Sequence, residues 1–143
     1  AGQQVEVFSD KVLEVTDQGI PTGGFTNVEG TALDFNTPAE CPKSIDNSFV
    51  LPQDYNRLAA RLHNPATGLE MEVYTNQPSV HIYVGGNCFG QLKGKEDADY
   101  TPYSGICFEA QHYPDALKHE HFPTVVLNPG ETYIQNTKFV FKL

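Results

Sequence analysis

The chain has 143 residues, of which 39% are hydrophobic and 11% aromatic, and its 18 acidic and nine basic residues give a formal net charge of −9. This length corresponds to one domain with enough apolar residues to bury a core. The charge argues against a nucleic-acid partner or an anionic membrane surface, because both are bound mainly through lysine and arginine. No apolar run approaches the ~18 residues that a membrane-spanning helix needs.

The predicted secondary structure is β along most of the chain, because short runs alternate or are rich in β-branched residues. In chain order, the predicted strands are 5–8, 11–15, 48–51, 58–62, 69–74, 80–84, 106–110 and 124–127. A short extended piece is predicted at 31–35. Gly- and Pro-rich stretches predict turns at 19–24, 64–68 and 128–131. The last of these turns would join 124–127 to an extended 132–143 as a closing hairpin.

Two segments have helical character. Residues 58–62 have helix-forming side chains, but the turn and the alternating strand that follow them favour a strand. Only residues 114–119 predict a helical turn. About nine short strands with turns every ~8–12 residues are typical of an all-β sandwich or barrel. We therefore expect residues 1–143 to form a single β-sandwich unit.

The cysteines and histidines predict no metal site. Cys41, Cys88 and Cys107 are widely spaced, without a CxxC pair or a zinc-type Cys/His spacing. Scattered cysteines of this kind are more often reduced than disulfide-bonded, which slightly favours a cytoplasmic location. Residues 119–121 (HEH) offer two imidazoles, but a third ligand is not evident, so we interpret this segment as a solvated loop.

Glu109 is the most unusual charged residue, because it lies inside an otherwise apolar predicted strand. If Glu109 lies on the core side of that strand, burial would favour its protonated form, raising its pKa toward the range that is useful for general-base catalysis. On the other side it would be an ordinary solvent-facing carboxylate. The residues alone leave both interpretations open and favour the second.

Four segments carry motifs that occur together in one known family. Residues 20–23 read IPTG and are followed by VEGT (28–31) and LDF (33–35). Residues 45–51, IDNSFVL, resemble YDHNFVL, and residues 71–80, MEVYTNQPSV, resemble EVYTTQPGVQFY. Residues 104–116, SGICFEAQHYPDA, resemble SGLCLETQHFPDA and are followed by FP (122–123) and LNPGETY (127–133). In this order, the motifs resemble the C-terminal portion of the aldose 1-epimerase (galactose mutarotase) family.

The resemblance implies an all-β fold that is part of a galactose mutarotase-like β-supersandwich. It also implies an enzyme, an isomerase that interconverts the α- and β-anomers of a hexose such as galactose or glucose, without a metal or an organic cofactor. Glu109 matches the family's catalytic base, and Asp46 matches the carboxylate that binds sugar hydroxyls. His81 stands where the family usually has a Gln that contacts the sugar, and an imidazole can also donate and accept hydrogen bonds.

The resemblance further implies that the site is incomplete in this chain. The family's catalytic acid, a His, lies in the N-terminal half with a second His and a sugar-binding Arg, in motifs that are not present here. We therefore expect an N-terminal mutarotase half, as a second chain or a removed segment, or self-association. Two alternatives stay open. One is a non-catalytic, lectin-like carbohydrate-binding protein that uses Asp46, His81 and Glu109, and the other is an inert structural half.

Aromatic residues are further candidates for the sugar site. Tyr74, Tyr83 and Phe89 would stack on a sugar face if they flank it, although strand aromatics usually lie in a core. Residues 85–87 (GGN) predict a tight turn beside the site. His112 lies where the family often has His or Asn, and no role is assigned to it.

Overall fold

The computed structural model describes residues 2–52, 56–85, 93–100 and 102–143. In these ranges it contains ten strands and two single turns of 3-10 helix, Lys95–Asp97 and Ala116–Lys118. The strands are β1 Gln4–Val7, β2 Lys11–Val15, β3 Pro21–Asn27, β4 Ala39–Glu40, β5 Ile45–Val50, β6 Arg57–His63, β7 Glu70–Thr75, β8 Ser79–Val84, β9 Ile106–Gln111 and β10 Thr137–Lys142. Within the same ranges, neither helical turn is long enough to cross a bilayer.

The strands form two five-stranded antiparallel sheets. Sheet A has the order β10-β7-β6-β1-β4, and sheet B has the order β3-β2-β5-β8-β9. Alternate residues of each strand point between the sheets, as a period of two requires. The resulting core includes Val5 and Val73 from sheet A and Phe49 and Ile82 from sheet B, all almost fully buried. The prediction of an all-β fold is therefore confirmed.

Two predicted elements near the N-terminus differ from the structure. The Gly/Pro-rich stretch predicted as a turn does turn at Gly19, whose N–H donates to Thr16 O, but from Pro21 it forms β3, which pairs with β2 through partners such as Leu13 and Phe25. Pairing with a neighbouring strand outweighs the local preference of glycine for turns, because strand propensity depends strongly on context. Residues 31–35, predicted as extended, form turns in which Thr31 N–H donates to Val28 O.

The predicted C-terminal hairpin is also wrong. Residues 124–127 form no strand, although a turn does follow at Pro129–Gly130. β10 pairs instead with β7, from Thr137 opposite Thr75 to Lys142 opposite Glu70. The alternation of β10 therefore matches a strand that is distant in sequence, and local pattern alone could not identify its partner.

The outer face of sheet A carries an ionic network centred on Glu72, which is buried. Its carboxylate accepts hydrogen bonds from Lys142 Nζ at 2.7 Å, Tyr74 Oη at 2.9 Å and Arg61 Nη2 at 3.4 Å. Arg61 also contacts Glu6 at 2.6 Å. The hydrogen bond from Lys142, followed by that from Tyr74, holds the pKa of Glu72 below its usual range. The network joins β1, β6, β7 and β10.

We expect a Glu72→Gln variant to lose part of the pH dependence of stability. Because the pKa of Glu72 is lowered from 4.5 in the folded state, the ionised carboxylate stabilises the fold above pH 4.5. This contribution is lost as the pH falls through the lower folded-state pKa. Urea unfolding between neutral pH and about pH 3 should show the difference between wild type and variant shrinking on acidification. A difference that is constant with pH would contradict the assignment.

Candidate functional site

The outer face of sheet B carries all three residues that the resemblance singles out. The strand register places Ser48 opposite His81 and His81 opposite Glu109, so these side chains form one row across β5, β8 and β9. Asp46 lies on the same face of β5, two residues before Ser48. The opposite face of β5 is held in the core by Phe49, which is fully buried.

The sequence of β8 determines this orientation. Val80, Ile82 and Val84 alternate with polar or aromatic residues and are all buried between the sheets. His81 and Tyr83 must therefore point to the outer face, because successive side chains of a strand point in opposite directions. The most strongly β-forming run of the chain thus positions the histidine of the candidate site.

His81 is held between two polar side chains of β5. Its Nε2 lies 2.8 Å from Asp46 Oδ1, and its Nδ1 lies 2.8 Å from Ser48 Oγ. The side chain of His81 is only 19% exposed, whereas that of Asp46 is 70% exposed. The imidazole is therefore fixed on both nitrogens, while the carboxylate that it contacts remains accessible to a ligand.

Glu109 lies on the edge strand β9 and is exposed on the outer face, opposite His81. The alternative in which this residue is buried on the core side is therefore wrong for this chain. Phe108 and Ala110, its neighbours in sequence, point to the core side instead. Directly opposed residues in an antiparallel pair have Cβ atoms about 4.5–5.5 Å apart, so Glu109 and His81 can contact the same small ligand.

The segment after β9 covers one end of this face. Tyr113 and Phe122 pack with Leu13 of β2 in a second buried cluster, and Val50 of β5 lies against it. The rings of Tyr113 and Phe122 are 4.9 Å apart in an edge-to-face arrangement. The cluster shields the Val50 end of β5, while Asp46, near the other end of the strand, stays exposed. The site is therefore an open surface with one apolar wall.

Residues 119–121 form a loop, as predicted, but their imidazoles contact β3. His121 Nε2 lies 2.8 Å from Gly23 O, and His119 Nε2 lies 3.3 Å from Pro21 O. Gly23 has a φ of +94°, and a Cβ there would lie 2.8 Å from His119 Nδ1. The positive φ favours glycine at this position of IPTG, and a Cβ there would also require the His119 ring to shift. In the part of the chain that the structure describes, no three metal-ligating side chains are grouped to hold an ion.

A cavity elsewhere in the described part of the chain does not coincide with these residues. It has a volume of about 510 Å³ and opens between the sheets near Cys41, Leu62 and Ile106. Burial raises the pKa of the Cys41 thiol there. This cavity is lined by both apolar and polar residues, Glu40 and Lys43 among them, and it contains neither Asp46, His81 nor Glu109.

The aromatic candidates divide between the two sheets. Tyr83 lies on the outer face of sheet B, directly opposite Asp46. Tyr74 lies on sheet A and bonds to Glu72, so it is not part of the candidate site. Phe89 and most of the predicted turn at 85–87 lie outside the described residues. Sequence reasoning missed Ser48, whose only signal was its position two residues after Asp46 on the same strand.

Comparison with known proteins identifies the family. A sequence profile described as aldose 1-epimerase matches residues 1–140, nearly the whole chain. The chain belongs to the aldose 1-epimerase family. The resemblance read from the four motifs is therefore confirmed.

Individual relatives of this aldose 1-epimerase family member are named for the same activity. The galactose mutarotase of Bos taurus is 40% identical over 98% of this chain, and the aldose 1-epimerase of Escherichia coli (strain K12) is 27% identical over 96% of it. The crystal structure of a GalM/aldose epimerase homologue from C. elegans superposes with a TM-score of 0.87 at 28% identity. The chain spans 44% of the length of both relatives and 46% of the solved chain, while the match covers 99% of this chain.

Proposed function

We propose that this chain is the C-terminal part of a galactose mutarotase and supplies the catalytic base and part of the sugar site. One observation carries the proposal: in a member of this family, Asp46, His81 and Glu109 lie on one open face of three adjacent strands. They come from positions up to 63 residues apart in the sequence, and only the register of β5, β8 and β9 brings them together.

The chemistry of anomer interconversion fits these groups. Glu109 takes the proton from the anomeric hydroxyl, and an acid gives a proton to the ring oxygen as the bond between C1 and that oxygen breaks. The open aldehyde rotates about its C1–C2 bond, and the ring oxygen attacks the other face of C1. Glu109 then returns its proton to the carbonyl oxygen, while the acid recovers its own. A positioned acid or base contributes roughly 10²–10⁴-fold to such a step.

Asp46 and His81 bind the sugar rather than move its protons. Asp46 is largely exposed and uses one oxygen to accept a hydrogen bond from His81, so its other lone pairs can accept from sugar hydroxyls. Glu109 faces the same ligand from the opposite side of His81. A hexose lying across the row would contact both carboxylates, which suits a ligand that is neutral and rich in hydroxyl donors.

The catalytic acid comes from another part of the particle. We propose that an N-terminal mutarotase half provides it, since this chain matches only 44% of the length of its relatives.

The edge of sheet A offers a surface for that half. Phe139 and Phe141 of β10 pair with Val73 and Met71, so they point to the core side of the sheet, yet they are 47% and 65% exposed. Core-facing phenylalanines left open at a sheet edge favour an apolar partner.

Purification and optical rotation test the proposal together. Intact and native mass of the particle, measured beside polarimetry on freshly dissolved α-galactose, should reveal a second mutarotase part and mutarotation faster than in buffer. Where the chain is obtained alone, it can be joined to the part of the Bos taurus mutarotase that lies outside the match, and the same assay applied to the chimera.

The outcomes separate the three hypotheses. Accelerated mutarotation supports a shared active site. Galactose binding without acceleration in a completed particle would favour the lectin-like alternative. The absence of both galactose binding and acceleration would indicate an inert structural half and would overturn the proposal.

A further inference from the structure

Ser48 is a buried hydroxyl on an otherwise open polar face. Its residue is only 7% exposed, although Asp46, two positions earlier on the same face, is largely exposed. Its Oγ lies 2.8 Å from His81 Nδ1, directly across the β5–β8 pair. A buried hydroxyl needs a hydrogen-bond partner, and the imidazole provides it.

The two hydrogen bonds of His81 are compatible with one arrangement of protons in a neutral ring. An ionised Asp46 can only accept, so His81 Nε2 must carry the proton that is donated to Asp46 Oδ1. Nδ1 then has a lone pair and no proton. Ser48 therefore donates its hydroxyl proton to Nδ1, which fixes both the tautomer and the orientation of the ring.

We infer that Ser48 is a positioning residue for sugar binding, acting through His81 on Asp46. The inference rests on the proposed function, because it assigns Ser48 to the same sugar site. Without the hydroxyl, Nδ1 loses its donor and the ring is free to turn, so that Nε2–H no longer holds Asp46 in one place. Because a hexose makes several hydrogen bonds at once, an unfixed carboxylate weakens its binding.

The test compares Ser48→Ala with a matched control in the chimera that joins this chain to the remaining part of the mutarotase, because the sugar site is shared between the two parts. Ser79→Ala is the control, because Ser79 is a fully buried serine on the same face of sheet B whose Oγ donates to Gln111 O rather than to His81. D-galactose is titrated into each protein, and binding and the ¹⁵N resonances of His81 are followed by NMR. Ser48→Thr, which keeps a hydroxyl, provides the conservative variant.

We expect Ser48→Ala to raise the Kd for galactose roughly 2–10-fold, as loss of one hydrogen bond implies. The Nδ1 resonance should move toward that of an unbonded imidazole nitrogen. Ser79→Ala should change neither quantity, and Ser48→Thr should restore both in part. In a His81→Ala background, Ser48→Ala should have no further effect on Kd, because a positioning residue acts only through the ring.

Other outcomes overturn the inference. An unchanged Kd and Nδ1 resonance in Ser48→Ala would show that the hydroxyl does not fix His81. An effect of Ser48→Ala that persists in the His81→Ala background would make Ser48 a direct sugar contact instead. If the completed wild-type particle binds no galactose, the proposed function fails together with the sugar role of Ser48, and the Nδ1 resonance then reports only whether Ser48 orders the ring.

Discussion

A Glu109→Gln variant of the completed enzyme is expected to lose mutarotation almost entirely. Gln has nearly the shape of Glu but cannot accept the anomeric proton, so kcat should fall roughly 10²–10⁴-fold. Glu109 is exposed on an edge strand, so the change removes no core contact and should leave the thermal midpoint nearly unchanged. Polarimetry on α-galactose and a thermal melt measure the two effects.

A matched substitution controls for the loss of one negative charge. Glu29→Gln changes an exposed carboxylate in the turn after β3 and should leave kcat as in wild type. Comparison of KM and kcat separates the role of Asp46 from that of Glu109. Because Asp46 is proposed to bind the sugar in the ground and transition states alike, Asp46→Asn should raise KM more than it lowers kcat. Retained turnover in Glu109→Gln would remove Glu109 from the role of base.

The strands that build the site were predictable because their alternation is strong. In β8, three buried aliphatic residues alternate with outward side chains, and this pattern alone predicts which face His81 occupies. β3 was not predictable from its composition, because its glycines signal turns and only pairing with β2 makes it a strand. Local patterns therefore predict the strands that bury one face. They fail where pairing with a strand that is distant in the sequence determines whether a segment becomes a strand.

The chemistry of the site was predictable only in part, for a similar reason. The resemblance supplied Asp46, His81 and Glu109 one by one, but not their arrangement. The bonds of His81 to Asp46 and Ser48 depend on the register between β5 and β8, which are separated by two strands of the other sheet in the chain. No local pattern fixes that register, so the part played by Ser48 emerged only from the fold.

The second large effect is expected at the open edge of sheet A. Replacing Phe139 and Phe141 by Asp should abolish association with the N-terminal half, and with it mutarotation. Burying a fully exposed phenylalanine stabilises by roughly 1.5–3 kcal/mol, so the exposed fractions of this pair correspond to about 1.7–3.4 kcal/mol, or roughly 20–300-fold in the association constant, before the cost of burying two carboxylates is added. In the chimera, where the halves are covalently joined, the same change should lower the thermal midpoint and the activity together. Native mass and polarimetry measure these losses.

Urea unfolding of the isolated chain distinguishes whether Phe139 and Phe141 form an interface with a partner or belong to the core of this chain. Because the two phenylalanines are 47% and 65% exposed, part of each ring is already buried within the chain, and the double variant should unfold at a moderately lower urea concentration than wild type while still folding when no partner is present. Leu117→Asp is the matched control, since Leu117 is 75% exposed in the 3-10 turn that follows β9 and belongs to neither sheet, and it should leave association intact. If the double variant unfolds the isolated chain, the phenylalanines belong to its own core. If the isolated wild type dimerises and the variant does not, the surface joins two copies of this chain rather than two different halves.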